Sequence, residues 1–132
     1  MAKLQKTLRG NWIKPAMVKT GDRAVIASEV EGRESRFRDN EGNLQTQFVG
    51  MVRIADGKEY LWRFNRTTLD GLIDAFGNET SVWIGKEVQI IKDKVMVGGR
   101  KKDALFLAAD GYVLIEDSEG YMHMTEQVEQ TV

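Results

Sequence analysis

The chain of 132 residues contains no cysteine, which excludes a disulfide framework, a thiolate metal site and a cysteine nucleophile. Its length suits one domain with its own core; no apolar run approaches the ~20 residues of a membrane helix, and the basic stretch Met1 to Gly10 lacks the apolar centre of a signal peptide, so a soluble cytoplasmic protein is expected. The net charge of -1 hides an asymmetry: residues 1–109 carry all 19 Lys and Arg against 14 Asp and Glu, a surplus of +5, whereas residues 110–132 carry the other 6 acids and no Lys or Arg. Residues 1–109 are therefore expected to form a basic domain, and 110–132 an acidic, flexible C-terminal tail.

The first strand candidate is Arg23 to Glu31, where Val25, Ile26 and Val30 are β-branched. Gln45 to Ala55 is the second and Lys58 to Asn65 the third, joined by Ala55-Asp56-Gly57-Lys58, whose Asp-Gly pair suits a two-residue turn. A short helix follows, because Leu69, Leu72, Ile73 and Phe76 recur at the spacing that places apolar groups on one face. Thr67 is the expected N-cap, with Asp70 three residues on and Gly77 as the left-handed exit. Gly71 in the interior costs about 1 kcal/mol relative to Ala, which implies a close backbone approach there. Lys86 to Ile91 and Ala104 to Ala108 are the fourth and fifth strands, and Val95 to Val97 can pair within the connection that holds Gly98-Gly99. Tyr112 to Ile115 is either a sixth strand or the root of the tail, and Thr125 to Val132 shows no period.

The order β-β-β-α-β-β is that of the OB-fold, an all-β class with one helix: a five-stranded barrel with the helix between strands three and four. Other small β-barrels and α+β sheets share parts of this order. In an OB-fold the loops between strands one and two and between strands four and five flank the ligand groove, and here both are basic. The first offers Arg33, Arg36 and Arg38 around Phe37, guanidinium forks for phosphate beside an aromatic face for a base. The second offers Lys92, Lys94, Arg100, Lys101 and Lys102 beside the glycine pair. Solvated turns of no function have the same composition.

The groove floor should be strands two and three. A two-residue turn at Asp56-Gly57 sets Arg53 opposite Tyr60, Met51 opposite Trp62 and Val49 opposite Phe64, so these six share a face, and Phe48, Gly50, Val52, Ile54, Leu61 and Arg63 share the other. Tyr60, Trp62 and Phe64 are then either core or an exposed stacking surface with Arg53 beside it to meet phosphate. A bulge at Gly50 would exchange the faces locally.

Three strings, Phe64-Asn65-Arg66-Thr67-Thr68-Leu69, Ala75-Phe76-Gly77-Asn78-Glu79-Thr80 and Trp83-Ile84-Gly85-Lys86-Glu87-Val88, carry a resemblance. They resemble a family of small phage and archaeal proteins marked by an Asn-x-Thr turn, a short helix ending in Phe-Gly or Tyr-Gly, and Trp-Ile-Gly-Lys. The likeness extends from Trp12-Ile13-Lys14-Pro15 to about residue 109, and its specific part is 64–88. It implies an OB-type domain linked to DNA replication and single-strand binding, with Trp83 in the core, Gly85 starting a strand and Lys86 solvated. It transfers no catalytic residues.

The inventory for catalysis is thin. His123 is the single histidine and lies in the acidic segment, no spacing suggests a zinc site, and Gly98-Gly99-Arg100-Lys101-Lys102 lacks the spacing of a P-loop. Asp70 and Asp74 share a helix face, which a solvated surface explains. No enzyme, metal or cofactor is expected. The residues fit a sequence-tolerant binder of single-stranded nucleic acid, DNA rather than RNA, using Arg33, Arg36, Phe37, Arg38, Arg53, Tyr60, Trp62, Arg63, Lys92, Lys94, Arg100, Lys101 and Lys102, with a replication or repair protein as partner at the acidic tail. Two other classes fit in part: an OB-like adapter or inhibitor of viral or mobile-element origin, and a nuclease subunit relying on carboxylates.

Overall fold

The long strand Leu44–Arg53 (β3) organises the sheet in the computed structural model, which describes residues 10–38, 41–97 and 99–127. One edge of β3 pairs with Glu59–Arg63 (β4), and the other pairs first with Arg23–Ile26 (β1) and then with Glu31–Arg38 (β2), all antiparallel. Ile26 lies opposite Val52 and Glu31 opposite Val49, so residues 27–30 bulge out against Gly50 and Met51. Ser28 Oγ accepts from the Met51 N–H at 2.8 Å, and Thr80 Oγ1 accepts from the Val30 N–H at 3.2 Å, so the bulge keeps its backbone satisfied. A Cβ on Gly50 would lie 3.2 Å from Phe64 Cε1 and 3.3 Å from the Glu29 carbonyl oxygen, which explains glycine at the crossing. The bulge arises on the β1–β2 side, opposite Gly50 and not within β3.

β1 also pairs with Glu87–Val97 (β5), which forms a long hairpin with Arg100–Ala108 (β6). Both basic segments that the sequence presents as loops are therefore extended strands: Gly32 to Arg38 belongs to β2, and Lys92 to Asp103 forms the outer half of the β5–β6 hairpin, with Val95 and Val97 paired to Lys102 and Arg100. The fold is mainly β with one α-helix and antiparallel sheets. Among the described residues there are eight strands, not five, and no closed barrel, since no strand pairing joins β4 to β6.

The helix Arg66–Phe76 (α1) starts two residues earlier than a cap at Thr67 would have it. Its N-cap is Asn65, whose side chain accepts from the Thr68 N–H, and Thr67 instead donates its hydroxyl to the Met122 carbonyl at 3.1 Å. Gly77 closes the helix at φ +88°, its N–H bonded to the Ile73 carbonyl. Leu69 and Leu72 are buried and Phe76 packs against the core, but Ile73 is exposed. The core lies between the curved sheet and α1; Trp62, Trp83, Phe64, Ile26, Leu72, Ile90 and Leu107 are its largest fully buried members. Trp83 gives its indole N–H to the Gly77 carbonyl at 2.9 Å. No described helix is long and apolar enough to cross a membrane.

Part of the acidic C-terminal segment forms strands. Tyr112–Glu116 (β7) and Met122–Glu126 (β8) form a two-stranded antiparallel sheet, with β8 packed on α1. Three side-chain ties hold it: Arg23 to Asp110 at 2.8 Å, the Tyr112 hydroxyl donated to Asp74 at 2.6 Å, and Thr67 to Met122. The close approach implied by Gly71 is here, since a Cβ on Gly71 would lie 2.5 Å from Met124 Cγ and 2.7 Å from its Cβ. Gly71→Ala gains up to about 1 kcal/mol of helix propensity and meets an overpacking cost of about 1–3 kcal/mol. Melting curves should show net destabilisation, and Met124→Ala in the same chain should relieve it; a more stable single variant would contradict the packing.

Hydrogen bonding to Asp74 and, second, burial push the Tyr112 hydroxyl up to about 12 from an ordinary value of 10.0. Its raised value makes the sign plain: the stability from this pair is fully present below pH 10 and is lost as pH rises through about 12. Thermal unfolding followed from pH 9 upward should therefore lose more stability in the native chain than in Tyr112→Phe.

Candidate nucleic-acid interface

The turn between β3 and β4 determines which side chains face outward. Ile54 N–H donates to the Lys58 carbonyl at 3.1 Å, and Gly57 N–H donates to the Ile54 carbonyl at 2.9 Å. Three residues thus form the loop, and Gly57 takes its left-handed position at φ +81°. The register accordingly moves by one from that of a two-residue turn: Arg53 lies opposite Glu59, Val52 opposite Tyr60, Gly50 opposite Trp62 and Val49 opposite Arg63.

Tyr60, Trp62 and Phe64 therefore share the core-side face with Val52 and Ile54, and all three are buried. Trp62 at 0 % exposure and Tyr60 at 8 % present no face to a base, and Arg53 lies on the opposite side of the sheet. Tyr60 donates its hydroxyl to Asp56 at 2.7 Å and so braces the turn. The Lys58 backbone amide and then this hydroxyl hold the Asp56 carboxyl below the usual carboxylate range, and Asp56 in turn pushes the Tyr60 hydroxyl up.

The outer face of β3 and β4 carries Arg53, Arg63 and Leu61, and by the same alternation Arg33 of β2, which is paired with Glu31. A segment from the N-terminal side lies along β4: Leu61 N–H donates to the Asn11 carbonyl at 2.8 Å, Ile13 N–H donates to the Leu61 carbonyl at 3.0 Å, and Trp12 pairs with Leu61 in parallel. Trp12 is 42 % exposed, and the Arg63 guanidinium lies 5.7 Å from its ring centroid. An exposed aromatic beside a guanidinium is what the sequence assigns to Phe37; Trp12 supplies it. Its signal in the sequence is the Trp-Ile-Lys-Pro string, an aromatic just ahead of a proline that breaks regular structure.

Arg63 joins two hollows. One, of about 410 Å³, lies between the N-terminal segment, β4 and β6 and is lined in part by Trp12, Trp62, Arg63 and Asp103. The other, of about 310 Å³, runs along the start of β3 past Gln47, Asn65 and Arg66. Arg63 and Asn65 line both. Trp62 leaves its buried indole N–H without an acceptor among the described residues, a costly omission for a donor out of water.

The β5–β6 hairpin divides its cations between two faces. Ile90 pairs with Leu107 in the core, so alternation places Lys92, Lys94, Lys101 and Asp103 on the core-side face and Arg100 and Lys102 on the other. Lys92 donates to the Pro15 carbonyl at 3.0 Å, and Lys94 lies 3.7 Å from Asp103. The backbone of Arg36, Phe37 and Arg38 belongs to β2; their side chains lie outside the described residues. Of the expected set, the structure brings Arg63, Arg53 and Arg33 onto one face and separates Tyr60 and Trp62 from them.

No protein-family model matches the chain, and no curated protein matches its sequence.

Trp12 and Trp62 should respond oppositely to truncation. Trp62→Ala empties a fully buried site and should cost about 3–5 kcal/mol, whereas Trp12→Ala at a half-exposed position should cost about 1 kcal/mol. Denaturant unfolding of both variants measures this, and equal losses would place Trp12 in the core.

Proposed function

We propose that this chain binds single-stranded nucleic acid, DNA in preference to RNA, with little dependence on sequence, and that its domain is OB-like. The observation that carries the reading is the Arg63 guanidinium over the exposed Trp12 ring, at the junction of two hollows on a sheet face that also bears Arg33 and Arg53. A cation and an aromatic side by side suit a strand that presents phosphates and unstacked bases in alternation. Duplex ends and stacked pairs offer fewer free base faces to such a site.

The sheet order supports the OB-like part. β1 and β2 occupy one strand position interrupted by the bulge, giving five positions in the order β4, β3, β1 with β2, β5, β6, and α1 lies between the third and fourth positions in sequence. The hairpins β2–β3 and β5–β6 stand where an OB-fold has its two groove-flanking loops. A replication or repair partner at the acidic terminus would meet the β7–β8 hairpin, whose Ile115 and Tyr121 are exposed.

Titrating the native tryptophan fluorescence with short single strands at several salt concentrations tests the reading. Affinity should fall with log salt at a slope of about -0.7 per phosphate contact, and Arg63→Ala and Lys101→Ala should each make the slope shallower by one contact. Binding without salt dependence, or equal affinity for duplex DNA, would overturn the proposal.

A further inference from the structure

The cleft between the N-terminal segment, β4 and β6 contains one group that phosphate binding does not explain. Asp103 lines it from the core-side face of β6, its nearest cation being Lys94 at 3.7 Å, and no described residue donates a hydrogen bond to its carboxylate. A carboxylate repels the phosphate backbone, yet it offers about four lone-pair directions to donors and accepts only. In the same cleft Trp12 presents exposed ring surface. An aromatic wall and a half-exposed carboxylate that accepts no hydrogen bond from a described residue, its one ion-pair contact being Lys94 at 3.7 Å, together describe a place for a flat ligand whose edge carries donors.

We propose that this cleft receives one guanine base of a bound strand, stacked on Trp12, with its N1–H and N2 amine donating to the two oxygens of Asp103. The proposal rests on the single-strand reading above and adds one point of base preference to it. Guanine is the base that presents two adjacent donors on its Watson–Crick edge, which a carboxylate takes as a charge-assisted bidentate pair. Cytosine and adenine place one amine beside a ring nitrogen that is itself an acceptor, and thymine places one N–H between two carbonyls, so each sets at least one acceptor against Asp103. A cleft of about 410 Å³ is within the range of small-molecule sites and accommodates a purine.

Fluorescence anisotropy at fixed salt, with short oligothymidylates carrying one central guanine, hypoxanthine, adenine or cytosine, tests the proposal on the native chain. The guanine oligomer should bind about tenfold more tightly than plain oligothymidylate, the discrimination expected of one bidentate pair. Hypoxanthine lacks the N2 amine and should lose most of that gain. Asp103→Asn should abolish the guanine preference while leaving oligothymidylate affinity equal or slightly higher, and a melting curve checks that the variant is folded. Equal affinity of the native chain for all five oligomers, or an undiminished guanine preference with hypoxanthine or in Asp103→Asn, would overturn the guanine site and leave single-strand binding standing. No binding to any oligomer at low salt would overturn both.

Discussion

Asn65 secures the first turn of α1 and the edge of β6 at once. Its Oδ1 accepts from the Thr68 N–H at 2.9 Å, its Nδ2 donates to the Leu105 carbonyl at 3.0 Å, and the Thr68 hydroxyl accepts from the Leu107 N–H at 3.1 Å. An edge strand beside a core needs partners for its backbone groups, and a closed barrel would supply them with another strand. Here two side chains do so, at the level where β6 meets the helix. Farther along, the edge of β6 away from β5 has no strand beside it among the described residues, and the space between it and β4 remains open as the cleft. The candidate site is thus a product of incomplete closure: Trp12 and Pro15 enter the gap from the N-terminal side, and Arg63 and Asp103 line it from the sheet. Thr68, fully buried though polar, is the residue that permits this arrangement.

The other side of α1 is occupied by the acidic hairpin. Its anchors, Arg23, Asp74, Gly71 and Thr67, are not among the residues that line the cleft. The ion pair of Arg23 with Asp110 and Glu87 is solvent-exposed and contributes modestly; the fit of Met124 over Gly71 is the stronger constraint, because no larger residue fits beneath it. The basic body and acidic segment that the charge distribution separates along the chain are thereby joined through the helix, and the charges of Glu116, Asp117, Glu119 and Glu126 are built into the fold on β7, β8 and their turn.

Much of this was legible in the residues, and the parts that were not share a cause. The helix, its Gly77 exit, the close contact at Gly71 and the approximate places of five strand regions follow from local patterns, which report burial periodicity and turn chemistry, whereas the core position of Trp83 was only what the resemblance implied. Register did not follow, since Asp56-Gly57 serves a two-residue or a three-residue loop equally well, and one residue of difference sets Tyr60 and Trp62 on the face of Val52 and Ile54 instead of that of Met51 and Arg53, which decides for the core between the two places the residues left open. Asn65 and Thr67 are both competent caps; the bond from Asn65 to Leu105, forty positions away, decides between them. The basic hairpin arms read as loops because their residues, charged and interrupted by glycine, lack the apolar alternation that marks a strand. β8 escaped for a related reason: Met122, His123 and Met124 have little strand preference of their own, and their order depends on packing against a glycine in the helix.

The pairing of β1 with β5 also bears on how the chain is made. Residues 23–25 find their partners in residues 87–89, and Gly21 and Asp22 exchange hydrogen bonds with Ile90. As the polypeptide emerges from a ribosome, β1 to β4 and α1 are complete before any of these partners exists, and Ile26, Val52, Trp62 and Leu72 must remain without the cover that β5 and β6 provide. Contacts so distant in sequence slow folding and prolong the exposure of apolar strands. The bulge at residues 27–30 interrupts regular pairing within the first strand position, and the cations of β2 follow it directly; together they make that half-built sheet a poor template for association with a second nascent chain.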